Sequence, residues 1–180
     1  KAAVLKAACE GRLAPQDPAD EPADALLRRI LAERRATWEA EHEAKLRAQG
    51  RMLLDDGWRA KYQEPQGPDT TGLPELPQGW VWIRVKQAGY VQLGRQRAPQ
   101  HHSGDHMRPY LRVANVYEDR IDTSDIMEMN FSPSEYETYK LHYGDILLNE
   151  GQSKELVGRP AMYRNEVPGA CFQNTLVRFR

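Results

Sequence analysis

The sequence has few cysteines and no long hydrophobic run. Its two cysteines among 180 residues, Cys9 and Cys171, are too few and too far apart for a disulfide framework or a cysteine-rich zinc site. No apolar segment approaches the roughly 20 residues that a membrane-spanning helix requires. These absences argue against a disulfide-stabilised secreted domain, a zinc finger and a membrane protein, and they favour the reducing cytoplasm.

Familiar catalytic motifs are also missing from the sequence. It has no glycine-rich phosphate loop, no GxSxG elbow, no HExxH helix and no dinucleotide-binding fingerprint. Of the carboxylates that could hold magnesium, Glu43 is predicted on a solvated helix beside Lys45. Asp145 follows Gly144 and is expected to cap a turn. Cys171 lies between Ala170 and Phe172 and is predicted in an apolar core.

The net charge is only −1, but the charges are separated along the chain. Residues 84–112 contain six Lys or Arg and three His against one acidic residue. Residues 118–137 contain seven acidic residues against one Arg. A protein of nearly neutral net charge can therefore present a strongly basic edge to a polyanion at close range.

Residues 1–61 are predicted to be helical. An alanine-rich helix runs from Ala2 to Glu10 and ends at Gly11. A long helix follows from about Glu21 to about Met52, with Asp20 as N-cap and Pro22 in its first turn. Its polar second half indicates packing against another helix, as in a coiled-coil spacer. The helix-packing residues are predicted to be Leu26, Leu27, Ile30 and Leu31.

Residues 62–79 are rich in Pro and Gly and are predicted to be a linker. From residue 80 to 180 the pattern changes to short β-branched and aromatic runs, so we expect an α+β domain with several strands. Ser132 and Glu135 have capping-box spacing, which predicts a short helix to about Leu141. The strand runs are WVWIRV, YVQL, YLRVANV, IMEMNF, DILLNE, AMYR and TLVRFR. IMEMNF alternates, so Met127, Met129 and Phe131 are predicted to face one side of its strand and the residues between them the other.

Two polar segments of this domain are candidates for contact with DNA. They are LGRQRAPQHHSGDHMRPY and NEGQSKELVGR. Arg and Lys contact phosphates, Arg recognises guanine, and Gln or Asn recognises adenine. The predicted DNA-binding residues are Arg95, Gln96, Arg97, Gln100, His101, His102, Arg108, Arg112, Asn149, Gln152, Ser153 and Lys154.

Two alternatives remain open from the residues alone. The first is a metal-dependent nuclease or other hydrolase built on the histidine segment, since His102 and His106 have a spacing that suits metal ligands on a helix. Gly104 and Pro109 argue instead for a loop there. The second alternative is an interaction scaffold whose β-rich domain binds protein rather than DNA.

The order of segments resembles the specificity (S) subunits of type I restriction–modification systems. KAAVLKAACEGRLAPQDPADEPADALLRRILAERRATWE is similar to their helical conserved region, and LPELPQGWVWIRV to the start of a target recognition domain. YLRVANVYEDRID, GDILLNEGQ, LVGRPAMYR and CFQNTLVRFR resemble successive segments of the same domain. The chain is expected to hold the end of a helical region and part of one recognition domain, incomplete at its C-terminus.

This resemblance implies a function without catalysis. Each recognition domain of such a subunit contacts one half of a bipartite site on double-stranded DNA. The helices space the domains and hold methyltransferase (M) subunits, and restriction (R) subunits join that core. No cofactor is then expected on this chain, because S-adenosylmethionine belongs to the M subunits, and ATP and Mg to the R subunits.

Overall fold

The computed structural model describes residues 2–51, 55–151 and 153–180. The chain divides into two compact units, residues 1–88 and 89–180. Residues 80–88 thus belong to the helical unit, although the strand-like composition begins at Trp80. In the described part of the chain, no helix has both the length and the apolar character needed to cross a membrane.

The first unit is built around one long helix. The helices are α1 (Ala2–Cys9), α2 (Ala23–Ala48) and α3 (Val85–Ala88), with a 3-10 turn at Gly57–Lys61. Gly11 follows α1 in the left-handed conformation (φ 65°), as its predicted position at the helix end requires. Helices α1 and α2 are therefore where the sequence predicted them, with shorter boundaries, whereas α3 was not predicted.

The predicted start of α2 was wrong in detail. Pro22 is the N-cap rather than a first-turn residue, and no side chain caps the helix, so Asp20 does not. The Ala23 N–H donates instead to the Gly79 carbonyl at 2.8 Å. At the other end, Met52 lies outside the described residues, and the observed helix ends at Ala48.

The second half of α2 packs on an aromatic cluster that the sequence analysis did not predict. Trp38 stacks on His42 with ring centroids 4.7 Å apart, and Trp58 stacks on both rings. Tyr62 packs against Trp38 at 5.3 Å, and Leu46 is buried. The segment after α2 thus covers a helix face whose sequence is mostly polar, because the aromatic residues that pack there are widely spaced among charged residues.

The prediction of a strand at WVWIRV was also wrong. Residues 80–84 form no strand, and α3 begins at Val85. Trp80, Val81, Trp82 and Ile83 are all exposed. The β-branched and aromatic residues favour extended backbone, but a strand also needs a hydrogen-bonded neighbour, and none pairs with this segment in the described structure.

The second unit is β-rich, with most of the predicted strands present. The strands are β1 (Val91–Leu93), β2 (Met107–Leu111), β3 (Val116–Tyr117), β4 (Arg120–Ile121), β5 (Met127–Asn130), β6 (Ile146–Asn149), β7 (Pro160–Met162), β8 (Cys171–Phe172) and β9 (Leu176–Phe179).

These strands form three small sheets. An antiparallel sheet has the order β1-β9-β6-β7, a second sheet has the order β5-β2-β8, and β3 pairs with β4. The β2–β8 pair is parallel, whereas β2 and β5 are antiparallel. The described structure is thus a mixed α+β fold with one long helix, as the composition predicted.

A short helix, α4 (Pro133–Tyr139), follows β5 and has the predicted capping box. The Ser132 hydroxyl accepts from the Glu135 N–H, and the Glu135 carboxylate accepts from the Ser132 N–H. The helix ends at Tyr139, two residues before the predicted Leu141, because Lys140 is extended. The predicted alternation of IMEMNF is present in its second half, where Met129 and Phe131 are fully buried and Glu128 is exposed.

The core of the second unit lies between its sheets and α4. One cluster includes Leu111, Leu147, Phe172 and Leu176, and a second contains Cys171. Burial raises the pKa of the Cys171 thiol to about 12, so the thiol is neutral at physiological pH. Cys171 is therefore a core residue, as predicted, while Cys9 is exposed.

Candidate nucleic-acid interface

Two candidate loops leave the same edge of the four-stranded sheet. Strands β1 and β6 flank β9, and Leu93 and Leu148 both pair with Val177. Because both strands run antiparallel to β9, the basic loop (residues 94–106) and the polar loop (residues 150–159) begin at the same edge. Strand β7 also begins there, since Pro160 pairs with Leu148. We call this side of the sheet, which is formed by the ends of its strands and not by an outer strand, the loop edge.

The turn between β8 and β9, residues 173–175, joins the two loops at the loop edge. The Asn174 N–H donates to the Arg95 carbonyl at 3.0 Å, and the Glu150 N–H donates to the Thr175 carbonyl at 2.9 Å. The Gln173 N–H donates to the Leu111 carbonyl at 2.9 Å. This turn therefore lies against the start of both loops and the end of β2.

Arg95 is not free to contact DNA, contrary to the prediction. Its side chain is only 8% exposed, and its guanidinium binds the Glu135 carboxylate at 2.8 Å and the Asn130 carbonyl at 2.8 Å. It also lies 5.0 Å from the centre of the Phe131 ring. All of these contacts are within the second unit, so Arg95 fixes the start of the basic loop against β5 and α4.

The Arg95 partner Glu135 is held in its ionised form. Burial raises the pKa of Glu135, but hydrogen bonds from the Ser132 N–H and hydroxyl and from Arg95 outweigh it, so the pKa is lowered overall. One carboxylate thereby caps α4 and anchors the basic loop.

Asn130 closes the basic loop at its far end. Its carbonyl binds Arg95, while its side-chain oxygen accepts from the His106 N–H at 2.9 Å. A Cβ on Gly104 would lie 2.4 Å from the Asn130 side chain, so this glycine permits the close packing. The two ends of the loop are therefore tied to the same residue of β5.

The middle of the basic loop presents polar and cationic groups to solvent. Gln96, Arg97, Gln100 and His102 are exposed. His101 lies in a 3-10 turn (Pro99–His101) and is half-buried. Four of the predicted residues of this loop are thus accessible to a ligand, and His101 is accessible in part.

Arg108 is exposed but does not lie at the loop edge. It is near the N-terminal end of β2, whereas Leu111 at the other end of this strand contacts the β8–β9 turn. Its guanidinium lies 4.7 Å from the centre of the Tyr136 ring on α4. The basic loop therefore runs away from the loop edge, so Arg108 extends the cationic surface but does not join the polar loop.

Arg112 and Asn149 are turned toward the protein, contrary to the prediction. Arg112 is only 21% exposed and forms an ion pair with Asp125. Asn149 is buried, and its side-chain amide donates to the Val116 carbonyl at 3.1 Å. Both residues hold the connection that follows β2, and sequence spacing alone could not distinguish them from exposed neighbours.

The polar loop is exposed over most of its length. Ser153 and Lys154, which are predicted to contact DNA, are both exposed, while Gln152 lies outside the described residues. A hydrogen bond from the Ser153 side chain lowers the pKa of Glu155. The loop thus places one cation and one firmly ionised carboxylate next to each other.

Two arginines that pack on Tyr117 are not among the predicted site residues. The guanidiniums of Arg120 and Arg159 lie 4.8 and 4.7 Å from the centre of this ring. Arg159 also donates to the Val116 carbonyl at 2.8 Å. The signal available in the sequence was Arg120, the one arginine within the acidic run of residues 118–137.

The residues proposed for metal chemistry do not form a cluster in the described part of the chain. Across residues 2–51, 55–151 and 153–180, no three His, Cys, Asp or Glu side chains are grouped as metal ligands. Asp145 is buried and accepts from the His142 N–H at 2.8 Å, as expected for a turn cap. It also forms a two-point ion pair with Arg180.

Comparison with known proteins gives related sequences but no matching family model. The chain is 31% identical over 152 residues, or 83% of its length, to the type I restriction enzyme EcoAI specificity subunit of Escherichia coli. It is 37% identical over 88 residues, or 49% of its length, to the EcoEI specificity subunit of the same organism. The matches span 23% and 12% of those two proteins. Over most of its length, the chain is thus a homologue of the specificity subunits of type I restriction enzymes.

Proposed function

We propose that this chain is the DNA-recognising part of a type I restriction–modification specificity subunit. Its second unit would contact one half of a bipartite site on double-stranded DNA. The observation that carries this proposal is the exposed basic and amide-bearing surface at the loop edge, in a chain whose relatives are named specificity subunits.

The proposed role is recognition without catalysis. Methylation and cleavage would then belong to M and R subunits, which would bind S-adenosylmethionine, ATP and Mg. A complex that acts on cellular DNA in this way would be located in the cytoplasm.

Phosphate contact and base contact would fall to different residues. Arg97, Lys154 and Arg108 are exposed cations suited to phosphates, and Arg is also suited to guanine. The amides of Gln96 and Gln100 are suited to base edges. His101, His102 and Ser153 complete the proposed surface, and Gln152 remains part of the proposal from its sequence position alone.

The proposal for α2 is that it serves as one helix of a coiled-coil spacer that holds M subunits. Its 26 residues would span about 39 Å, close to one turn of B-DNA. Leu27, Ile30 and Leu31 are half-buried and Leu26 is exposed, so this stripe retains apolar surface for a partner helix.

Electrophoretic mobility shift of a mixed-sequence duplex tests DNA binding by the full chain. Salt-dependent binding that weakens in Arg97→Ala and Lys154→Ala, with Lys61→Ala on the first unit as control, supports the proposal. Absence of binding at low salt in a folded protein would contradict it and favour the protein-interaction scaffold. Chelator-sensitive cleavage of the duplex would instead favour the nuclease.

Co-purification with M subunits tests the helical proposal. The double variant Leu27→Lys/Leu31→Lys should lose these partners. Ala36→Lys, at an exposed position half a turn around the same helix from residue 27, should retain them. Retention by both variants would show that the stripe does not form this interface.

A further inference from the structure

The β8–β9 turn carries two amide side chains that neither the sequence analysis nor the relatives assign to a site. Gln173 and Asn174 lie between the starts of the basic and polar loops, and both are half-buried. Among residues 2–51, 55–151 and 153–180, no hydrogen-bond partner contacts either side-chain amide. These amides are thus available to a ligand at the loop edge.

The backbone around these two residues is fixed on several sides. The Gln173 and Asn174 N–H groups donate to the Leu111 and Arg95 carbonyls, and the Arg95 N–H donates to the Phe172 carbonyl at 3.0 Å. A Cβ on Gly94 would lie 2.2 Å from the Gln173 carbonyl oxygen, so the basic loop and the turn are in direct backbone contact.

The rest of the turn is held equally firmly. The Thr175 hydroxyl accepts from the Val113 N–H at 3.3 Å, and the Thr175 carbonyl accepts from the Glu150 N–H at 2.9 Å. Backbone bonds therefore position the turn while leaving the side chains of residues 173 and 174 unused. This arrangement suits recognition of a base edge, because a backbone that is fixed before binding lowers the entropy cost of ordering the amides on a ligand.

We propose that Gln173 and Asn174 are specificity-determining residues that contact base edges in the major groove. This inference rests on the proposed function. Amide side chains suit adenine, which presents an acceptor at N7 and a donor at N6. The flanking cations Arg97 and Lys154 hold the duplex by its phosphates, and the turn between the loops recognises the bases.

The test uses a randomised duplex library, from which the full chain in its complex with M subunits selects bound sequences. The wild-type complex is expected to select a motif. Gln173→Ala and Asn174→Ala are each expected to lose discrimination at one base pair, by roughly tenfold or more. Affinity for a mixed-sequence duplex should stay within about twofold, because phosphate contacts dominate it. Gln66→Ala, at an exposed position of the first unit, should select the wild-type motif.

Gln173→Glu provides a second readout that a purely structural role would not move. A carboxylate accepts from the cytosine N4 amino group, so preference at the affected position should change toward cytosine. An unchanged motif in all three turn variants, or an equal loss of affinity for every sequence, would overturn the inference while leaving DNA binding intact. A wild-type complex that selects no motif would contradict the proposed function itself.

Discussion

The basic loop and the polar loop leave the same edge of one sheet but are held in different ways. The basic loop is tied to β5 and α4 through Arg95, Glu135 and Asn130. The polar loop is bounded by backbone bonds, with the Gly158 N–H donating to the Asn149 carbonyl, and its exposed side chains reach solvent. The comparison shows that cations clustered in a sequence can have two different roles. Some hold the loop in its conformation through contacts within the protein, and others are exposed to solvent, where a ligand can reach them.

The largest expected effect is the loss of the Arg95 anchor. Arg95→Met removes the buried partner of Glu135 and leaves the Asn130 carbonyl without its donor. The free energy of unfolding should fall by about 2–3 kcal/mol, because Arg95 and its acceptors are buried while water can partly solvate the Glu135 carboxylate. Arg97→Met, two residues away and exposed, should change it by less than about 0.5 kcal/mol. Urea denaturation of both variants makes this measurement, and equal effects would show that the anchor is not a structural element.

A second prediction compares one glycine from each loop. Gly94→Ala places a Cβ 2.2 Å from the Gln173 carbonyl oxygen and should destabilise the fold by about 2 kcal/mol, since backbone must move. Gly151→Ala meets no atom within 4 Å, so only its positive φ of 67° is penalised, at about 1 kcal/mol. Thermal unfolding of the pair measures the difference. A larger loss of stability in Gly151→Ala than in Gly94→Ala would contradict the prediction that the basic loop is the more closely packed of the two.

Sequence patterns predicted the secondary structure best where the cause was local. The Ser132–Glu135 capping box needs only neighbouring residues and was confirmed, as was the alternation that buries Met129 and Phe131. The strand predicted at WVWIRV failed because strand formation depends on a partner elsewhere in the chain. The cluster of Trp38 and Trp58 was missed for the same reason, since its members are distant in sequence.

The candidate site followed the same division. Residue composition selected both loops as candidates, and Arg97 and Lys154, which were selected on this basis, are exposed in the structure. Spacing could not show that Arg95 and Asn149 turn inward. The sequence propensities of arginine and asparagine are the same whether the side chain faces the protein or the solvent. The position of the β8–β9 turn between the two loops could not be predicted either, since it depends on the register that sets Leu93 and Leu148 at the same level of β9.

The anchor of the basic loop should also make the fold sensitive to acid. An unfolded glutamate titrates near its ordinary pKa of 4.5, and the folded pKa of Glu135 is lower. A lowered carboxyl pKa contributes stability above the unfolded value, and this contribution is lost as the pH falls through the folded value. Urea denaturation from pH 6 to pH 3 should show a shallower fall in Glu135→Gln than in the wild type. If stability fell equally with pH in both proteins, Glu135 would not be the cause of the sensitivity to acid.

The smallest effect is expected in the salt dependence of DNA binding, where the two loops should behave alike. Each phosphate contact contributes about one unit to the slope of log affinity against log salt. Arg97→Ala and Lys154→Ala should therefore each reduce that slope by about one, although one residue lies on the anchored loop and the other on the exposed loop. Arg112→Ala is the matched control, because its guanidinium is paired with Asp125 and should leave the slope unchanged. A reduced slope in Lys154→Ala but not in Arg97→Ala would mean that anchoring positions the basic loop away from the phosphates, so the polar loop alone would provide the electrostatic contact.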